Sequence, residues 1–190
     1  KYEKEVRKMA RTKLANIQAD KKPQKIAGII VAQRVMKTKR GGNMAILTID
    51  DRSGRLDVRL FSDVYDKFRE KMIVDHLVVL EVEVKHDNYN DSLGANLINM
   101  WNISEARSNF SSGIRLTLKH HELGQHFIRQ LNDTLQPFQT EGSPVLLQYH
   151  GESAKANLQL GQEYKVEPTD DLLYRLKNHY GEDSVECCYD

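Results

Sequence analysis

From Arg55 to Phe61 the chain sorts its residues two ways. Leu56, Val58 and Leu60 fall on one side, and Arg55, Asp57, Arg59 and Phe61 on the other. A strand separates neighbours in this manner, because successive side chains of a strand leave opposite faces. Asp51-Arg52-Ser53-Gly54 stands just before it. Asp and Ser favour a turn there, and Gly tolerates the backbone angles the turn demands. Met44–Ile49, on the other side of that turn, reads as a further strand.

The same texture extends in both directions. Ile26–Met36 is β-rich, and Lys37-Thr38-Lys39-Arg40-Gly41-Gly42 follows as a flexible basic loop. Asp63–Met72 changes period, with Val64, Phe68 and Met72 at i, i+4 and i+8, which predicts a short helix. His76–Lys85 is a fourth strand carrying Val78, Leu80, Val82 and Val84 on one face. His86–Leu93 is a polar loop and Gly94–Ile103 a fifth strand. Three strands, a helix and two strands within about eighty residues is the order of a five-stranded OB-fold barrel. The barrel is expected over residues 26–104.

On either side the pattern changes. Residues 1–25 are polar and helix-compatible, with Tyr2, Val6, Met9, Leu14 and Ile17 only loosely at helical spacing, and Pro23 closing the segment. They read as a basic, solvated linker helix. Residues 105–112 are polar and contain Ser, which suggests a linker. Residues 113–190 read as a small α+β domain. Ile114–Leu118, Val145–Tyr149 and Ala156–Leu160 are its strands, with Val185–Tyr189 as a terminal strand or tail. His120–Leu135 is an amphipathic helix with Leu123, Phe127, Leu131 and Leu135 on one stripe. Thr169 is a helix N-cap with Asp170 and Asp171 in the positive first turn, and Gly181 ends that helix. The fold class is therefore mainly β plus α+β.

Charge bears on what the two parts meet. The 190 residues carry a formal net charge of +1, but it is unevenly spread. Residues 1–25 carry +6, residues 26–112 are balanced, and residues 113–190 carry −5. This gradient argues against one uniform surface coating nucleic acid and for two parts facing different partners. No apolar run is long enough to span a bilayer. The cysteines are the neighbours Cys187 and Cys188, which excludes a disulfide framework and fits a reducing, cytoplasmic setting. The chain opens on Lys1, so it reads as a fragment or a processed chain.

Catalytic patterns are absent from the sequence. There is no GxxxxGK[ST] loop, no HExxH and no GxSxG. His120, His121 and His126 miss the i, i+4 spacing that zinc ligands on one helix face require. Cys187 and Cys188 are too close for a CxxC site. Two-metal nucleotidyl transfer needs carboxylates converging on ions about 4 Å apart. Asp50-Asp51 has a sufficient local explanation at a turn, and Asp170-Asp171 in a helix first turn. The expectation is no catalytic residue, no metal and no cofactor in these residues.

The positive signal lies on the barrel. OB-folds receive oligonucleotides on strands 2 and 3 and in the loops joining strands 1–2 and 4–5. Lys37, Lys39 and Arg40 occupy the first loop, where cations neutralise phosphates and glycines let a backbone come close. Arg34 approaches the same edge. Arg55 and Arg59 point outward from strand 3, where guanidinium groups pair with phosphate or stack on bases. Phe61 shares their phase, and Tyr89 lies in the 4–5 loop. Each aromatic keeps two readings: Phe61 stacks on bases or packs under the following helix, and Tyr89 stacks or covers the barrel mouth.

At these residues the chain resembles a known family. The stretches Ala27-Gly28-Ile29-Ile30-Val31-Ala32, Arg34-Val35-Met36, Thr38-Lys39-Arg40-Gly41 and Leu47-Thr48-Ile49-Asp50-Asp51-Arg52-Ser53-Gly54-Arg55-Leu56 are similar to the OB region of the bacterial replicative DNA polymerase III alpha subunit. The likeness continues through Leu60-Phe61-Ser62-Asp63, Tyr65-Asp66-Lys67, Pro144-Val145 and Pro168-Thr169-Asp170-Asp171-Leu172-Leu173, to Val185-Glu186 and Asp190. TKRG together with DDRSGR is its most specific part. The resemblance implies the carboxyl end of that polymerase, with the catalytic carboxylates in an upstream palm domain. It implies an OB domain handling single-stranded template DNA and a final domain binding the tau subunit of the clamp loader. The family's last residues also resemble a short clamp-contact peptide with Gln, Leu and Phe positions. Ser184, Cys187 and Tyr189 stand at those positions here, a departure that argues against a sliding-clamp contact. Two other classes stand beside this one. One is the anticodon-binding OB domain of a class II aminoacyl-tRNA synthetase, which shares the basic loop and the D-x-S-G turn. The other is an OB module that binds only protein.

Overall fold

The computed structural model describes every residue except Lys1, Arg40, 88–91, 120–123, Gln125, 152–153 and Asp190. The chain divides into two compact units, Lys1–Ile103 and Ser104–Asp190.

In the first unit five strands close into a barrel in the order β1-β2-β3-β5-β4. They are β1 (Gln24–Lys37), β2 (Asn43–Asp50), β3 (Arg55–Leu60), β4 (Leu77–Asp87) and β5 (Ser92–Asn102). All pairings are antiparallel except β3 with β5, where Val58 lies beside Ala95 and Arg59 beside Asn96. That parallel contact closes the barrel, and closure leaves no open sheet edge. The architecture is the five-stranded OB-fold barrel that the strand order predicts. Its interior is filled by Ile26, Ile30, Leu47, Ile49, Leu60, Leu80 and Met100, each under 2% exposed. The alternation of residues 55–60 survives intact, with Leu56, Val58 and Leu60 buried. The expected helix is α2 (Ser62–Phe68) followed by a single 3₁₀ turn, Arg69–Lys71, with Phe68 and Met72 buried in the barrel core.

The N-terminal stretch differs from one solvated linker helix. Helix α1 covers only Glu3–Met9, and the chain then extends before a 3₁₀ turn at Leu14–Asn16. Met9, Ala10, Leu14 and Ile17 are buried, and Leu14 and Ile17 belong to the barrel core. Their loose spacing is that of single plugs and not of a helical stripe. Residues 105–112 differ too. Helix α3 (Ile103–Phe110) runs through them, with Ala106 and Arg107 buried.

The second unit is built on a four-stranded sheet in the order β10-β6-β8-β9. These strands are β6 (Gly113–Lys119), β8 (Val145–His150), β9 (Lys155–Gln159) and β10 (Val185–Cys188). β6 and β8 are parallel, and the crossover between them carries helix α4 (Phe127–Leu135). Of the helix expected from residue 120, 120–123 and Gln125 lie outside the described residues. Strand β7 (Gln139–Ser143) bridges to Val166. Its sequence, Gln-Thr-Glu-Gly-Ser, carries no apolar alternation. Helix α5 (Asp170–Tyr180) starts as expected: the Thr169 hydroxyl accepts the Leu172 N–H at 3.2 Å, and Gly181 follows its end with φ of 97°. Phe127, Leu131 and Leu135 of α4 share a core with Leu172, Leu176 and Tyr180 of α5 and with Ile114, Leu116 and Leu118 of β6. Among the described residues no helix is long and apolar enough to cross a membrane.

Candidate nucleic-acid interface

The face in question is the outside of β1, β2 and β3. On β2 the residues Ala45, Leu47 and Ile49 point inward, so Met44, Ile46, Thr48 and Asp50 point outward. On β3 the outward set is Arg55, Asp57 and Arg59. Strand β1 joins this face through an irregularity. Ile30 pairs with Ile49, but Ala32 pairs with Thr48, so Val31 is an extra residue. Such a bulge reverses which side each later residue faces. Without it, Arg34 would share the inward phase of Ile26 and Ile30. With it, Arg34 lies opposite Ile46, and Met36 opposite Met44.

The registers then align a row across three strands. Arg34 is beside Ile46, Ile46 beside Arg59, and Arg59 beside Asn96 of β5. Arg59 reaches across Gly94 of β5; a Cβ added at Gly94 would sit 3.3 Å from Arg59 Nη1. Glycine therefore makes room for the guanidinium to lie flat along the barrel. Ile46, Met36 and Met44 surround these cations as half-buried apolar groups. They are the part of the face that sequence alternation does not single out. The one signal is the unbroken apolar run Met44-Ala45-Ile46-Leu47, which leaves apolar residues on both sides of a strand.

The other residues named from the sequence are distributed differently. Lys37 ends β1 opposite Asn43, in the phase opposite to Arg34 and Met36, and is exposed. Lys39 is exposed in the turn that follows, where the Thr38 N–H donates to Gly42 O at 2.7 Å and Gly41 adopts φ of 86°. Arg40 and Tyr89 lie outside the described residues. Phe61 stands at the N-cap of α2, is 50% exposed, and is not part of the barrel core, whereas Phe68 of that helix is. Arg55 is engaged locally: its Nε donates to Asp50 Oδ2 at 2.8 Å. The hydrogen bond from Arg55, then that from the Arg52 N–H, holds the Asp50 carboxyl below its ordinary range. The two arginines of β3 thus have separate settings, Arg59 in the cross-strand row and Arg55 at the turn.

The acidic pairs also have structural partners. Asp51 binds four donors around its turn, Asp170 pairs with Arg107, and Asp171 with Arg175. Among the described residues, no three His, Cys, Asp or Glu side chains converge to hold a metal ion.

Known proteins match both units. The family described as OB-fold nucleic acid binding domain matches residues 25–100. The family described as DNA polymerase III subunit alpha, C-terminal domain, matches residues 130–181. The DNA polymerase III subunit alpha of Pseudomonas fluorescens is 33% identical over 97% of this chain and 16% of its own length. That of Escherichia coli (strain K12) is 35% identical over 86% of this chain and 14% of its own length. The chain therefore spans about one sixth of the relatives it matches. Among solved structures, the second OB-fold domain of replication protein A from Methanococcus maripaludis is 18% identical, with a TM-score of 0.39. It covers 48% of this chain and 93% of its own. With a matched barrel followed by a matched terminal domain, and with relatives along nearly its whole length, the chain is a homologue of the C-terminal region of the bacterial DNA polymerase III alpha subunit.

Proposed function

We propose that the barrel binds single-stranded template DNA for a DNA-directed DNA polymerase whose catalytic carboxylates lie in another domain. The cross-strand row Arg34–Ile46–Arg59 carries this reading. Two guanidinium groups flank an apolar residue on the outside of a barrel, a spacing suited to phosphates on the cations and bases on the apolar surface between them. Phe61 extends the apolar surface at one end. Lys37, Lys39 and Arg40 add backbone neutralisation at the hairpin, and Tyr89 is a second stacking group. The binding requires no metal or cofactor. Few aromatic groups on this face make it weak and sequence-tolerant.

The terminal unit, in this reading, binds the tau subunit of the clamp loader and couples polymerase to replisome in the cytoplasm. Its acidic balance favours a protein partner over a nucleic acid. No sliding-clamp contact is assigned to the tail, because Val185–Cys188 already pairs with β6 and Cys187 is 8% exposed.

The test is fluorescence anisotropy of a labelled oligo-dT strand against the full chain over a range of salt. Affinity should fall as salt rises. Changing Lys37, Lys39 and Arg40 together to Ala should weaken binding across all sequences. Equal affinity before and after would remove the hairpin from the site, and salt-independent affinity would remove the polymerase reading of the barrel.

A further inference from the structure

The second unit is acidic as a whole, yet one groove on it gathers basic groups. It lies between α4 and α5, encloses about 460 Å³ and is lined by His126, Arg129, Gln130, Asp133, Arg175 and His179. Several of these side chains are held in place before any ligand arrives. Arg175 donates from Nε to Asp171 Oδ1 at 3.1 Å and from Nη2 to Asp171 Oδ2 at 2.9 Å. Its guanidinium also lies 5.3 Å from the centre of the Phe138 ring. His179 Nδ1 is 2.9 Å from Gln130 Nε2. With the amide donating to Nδ1, the neutral ring carries its proton on Nε2. Donors ordered in advance lose less entropy when a ligand binds.

We infer that this groove docks an acidic peptide segment of a protein partner, with carboxylates received by Arg129, Arg175 and His179. The inference rests on the reading of this unit as a protein-binding unit and names the surface that would serve it. Guanidinium forks suit carboxylates and phosphates alike, so the surroundings decide. Asp133 lines the same groove, and Asp171 grips Arg175. A nucleic-acid backbone places a charge at every nucleotide and would meet both carboxylates, on a segment of net charge −5. A peptide can put its acidic side chains on the cations and uncharged N–H groups beside Asp133. The mixed lining therefore fits a peptide.

The probe is a capped Glu-Gly-Glu-Gly-Glu-Gly peptide titrated into the full chain, with backbone amide shifts followed by NMR. Saturable shifts confined to α4 and α5 are expected. Arg129 and Asp133 are exposed, so Arg129→Glu and Asp133→Lys leave the fold intact. The first should weaken binding about tenfold or more, and the second should tighten it about threefold, because each reverses one charge facing the ligand. Absence of saturable shifts, or equal binding by wild type and Arg129→Glu, would overturn the groove. So would tighter groove binding by an oligo-dT strand of equal charge. Capture of tau by the same chains separates the two readings. A chain that retains tau without groove binding loses the groove alone. A chain that binds the peptide in the groove without retaining tau keeps the groove and loses tau as its partner.

Discussion

The carboxylate of Asp51 accepts the backbone N–H of Leu14 at 2.9 Å, joining two residues 37 positions apart. Its other oxygen accepts the Ser53 N–H, the Ser53 hydroxyl and the Gly54 N–H at 2.8, 2.6 and 3.1 Å. The Ser53 hydroxyl oxygen in turn accepts the Ala15 N–H at 3.1 Å. The β2–β3 turn thus does two things. It reverses the chain, and it holds the N-terminal 3₁₀ turn so that Leu14 stays 5% exposed against the barrel.

Replacing Asp51 by Ala should cost about 2 kcal/mol, the usual scale for losing hydrogen bonds to a charged acceptor. The pH dependence has a definite sign. Burial pushes the Asp51 carboxyl up, but the hydrogen bonds from Ser53, Leu14 and Gly54 outweigh it and hold the group below its ordinary value. Its stabilisation is therefore complete above the unfolded value of about 3.9 and is lost as pH falls through the lower folded value. Urea melts of wild type and Asp51→Ala should differ most at neutral pH and converge in acid.

The extra residue Val31 makes a sharper prediction. Deleting it places Ala32 directly after Ile30 and still opposite Thr48, so the ladder becomes regular and Arg34 stays opposite Ile46 on the outer face. The deletion should therefore keep both the fold and oligo-dT binding, with a melting temperature within about 5 °C of wild type. Replacing Val31 by Ala keeps the bulge and should retain both as well. Thermal melts by circular dichroism and oligo-dT anisotropy check the two variants, and loss of binding by the deletion alone would mean that the kink of the bulge, and not the register, aims Arg34.

The strands and their order are legible in the residues because barrel strands alternate and turns use Asp, Ser and Gly. The bulge is not legible, since Ile29-Ile30-Val31-Ala32 is apolar throughout and an unbroken apolar run has no phase. Asp51 reads as a turn residue, but its bond to Leu14 depends on the folded path of the chain and leaves no local pattern. The buried N-terminal segment fails for the same reason, since Leu14 and Ile17 owe their burial to that tether more than to periodicity. The candidate site was half visible. Arg59 follows from alternation, whereas its alignment with Arg34 requires the bulge, and Arg55 is drawn away by Asp50.

The two arginines of β3 differ in their settings and can be tested against each other. Arg59 lies in the row with Arg34, while Arg55 is tied to Asp50 at the turn. Arg34→Ala and Arg59→Ala should each weaken oligo-dT binding about fivefold and reduce the slope of log affinity against log salt by about 0.7, as the loss of one phosphate contact does. Arg55→Ala should change affinity by less than about twofold. Equal effects of Arg55 and Arg59 would show that the ligand follows the length of β3 and not the row across it.

In the second unit, Arg107 ties α3 to the start of α5. It is 2% exposed, and its Nη1 donates to Pro168 O at 3.1 Å and to Asp170 Oδ1 at 2.8 Å. These bonds hold α3 against the start of α5. A buried guanidinium costs desolvation, but its removal leaves the Pro168 carbonyl short of a donor and opens a cavity. Arg107→Ala should destabilise this unit by about 3 kcal/mol, in the range for breaking a buried pair from its buried side. The Asp170 side chain is 39% exposed, so Asp170→Asn should cost less, about 1 kcal/mol, with water replacing part of the lost interaction. Hydrogen exchange localises both effects. Amides of α5 should lose protection in each variant, and those of the barrel strands should not, because the barrel has its own core. Equal loss of protection across both units would mean that the chain unfolds as one body and that the Arg107 bonds are not specific to the second.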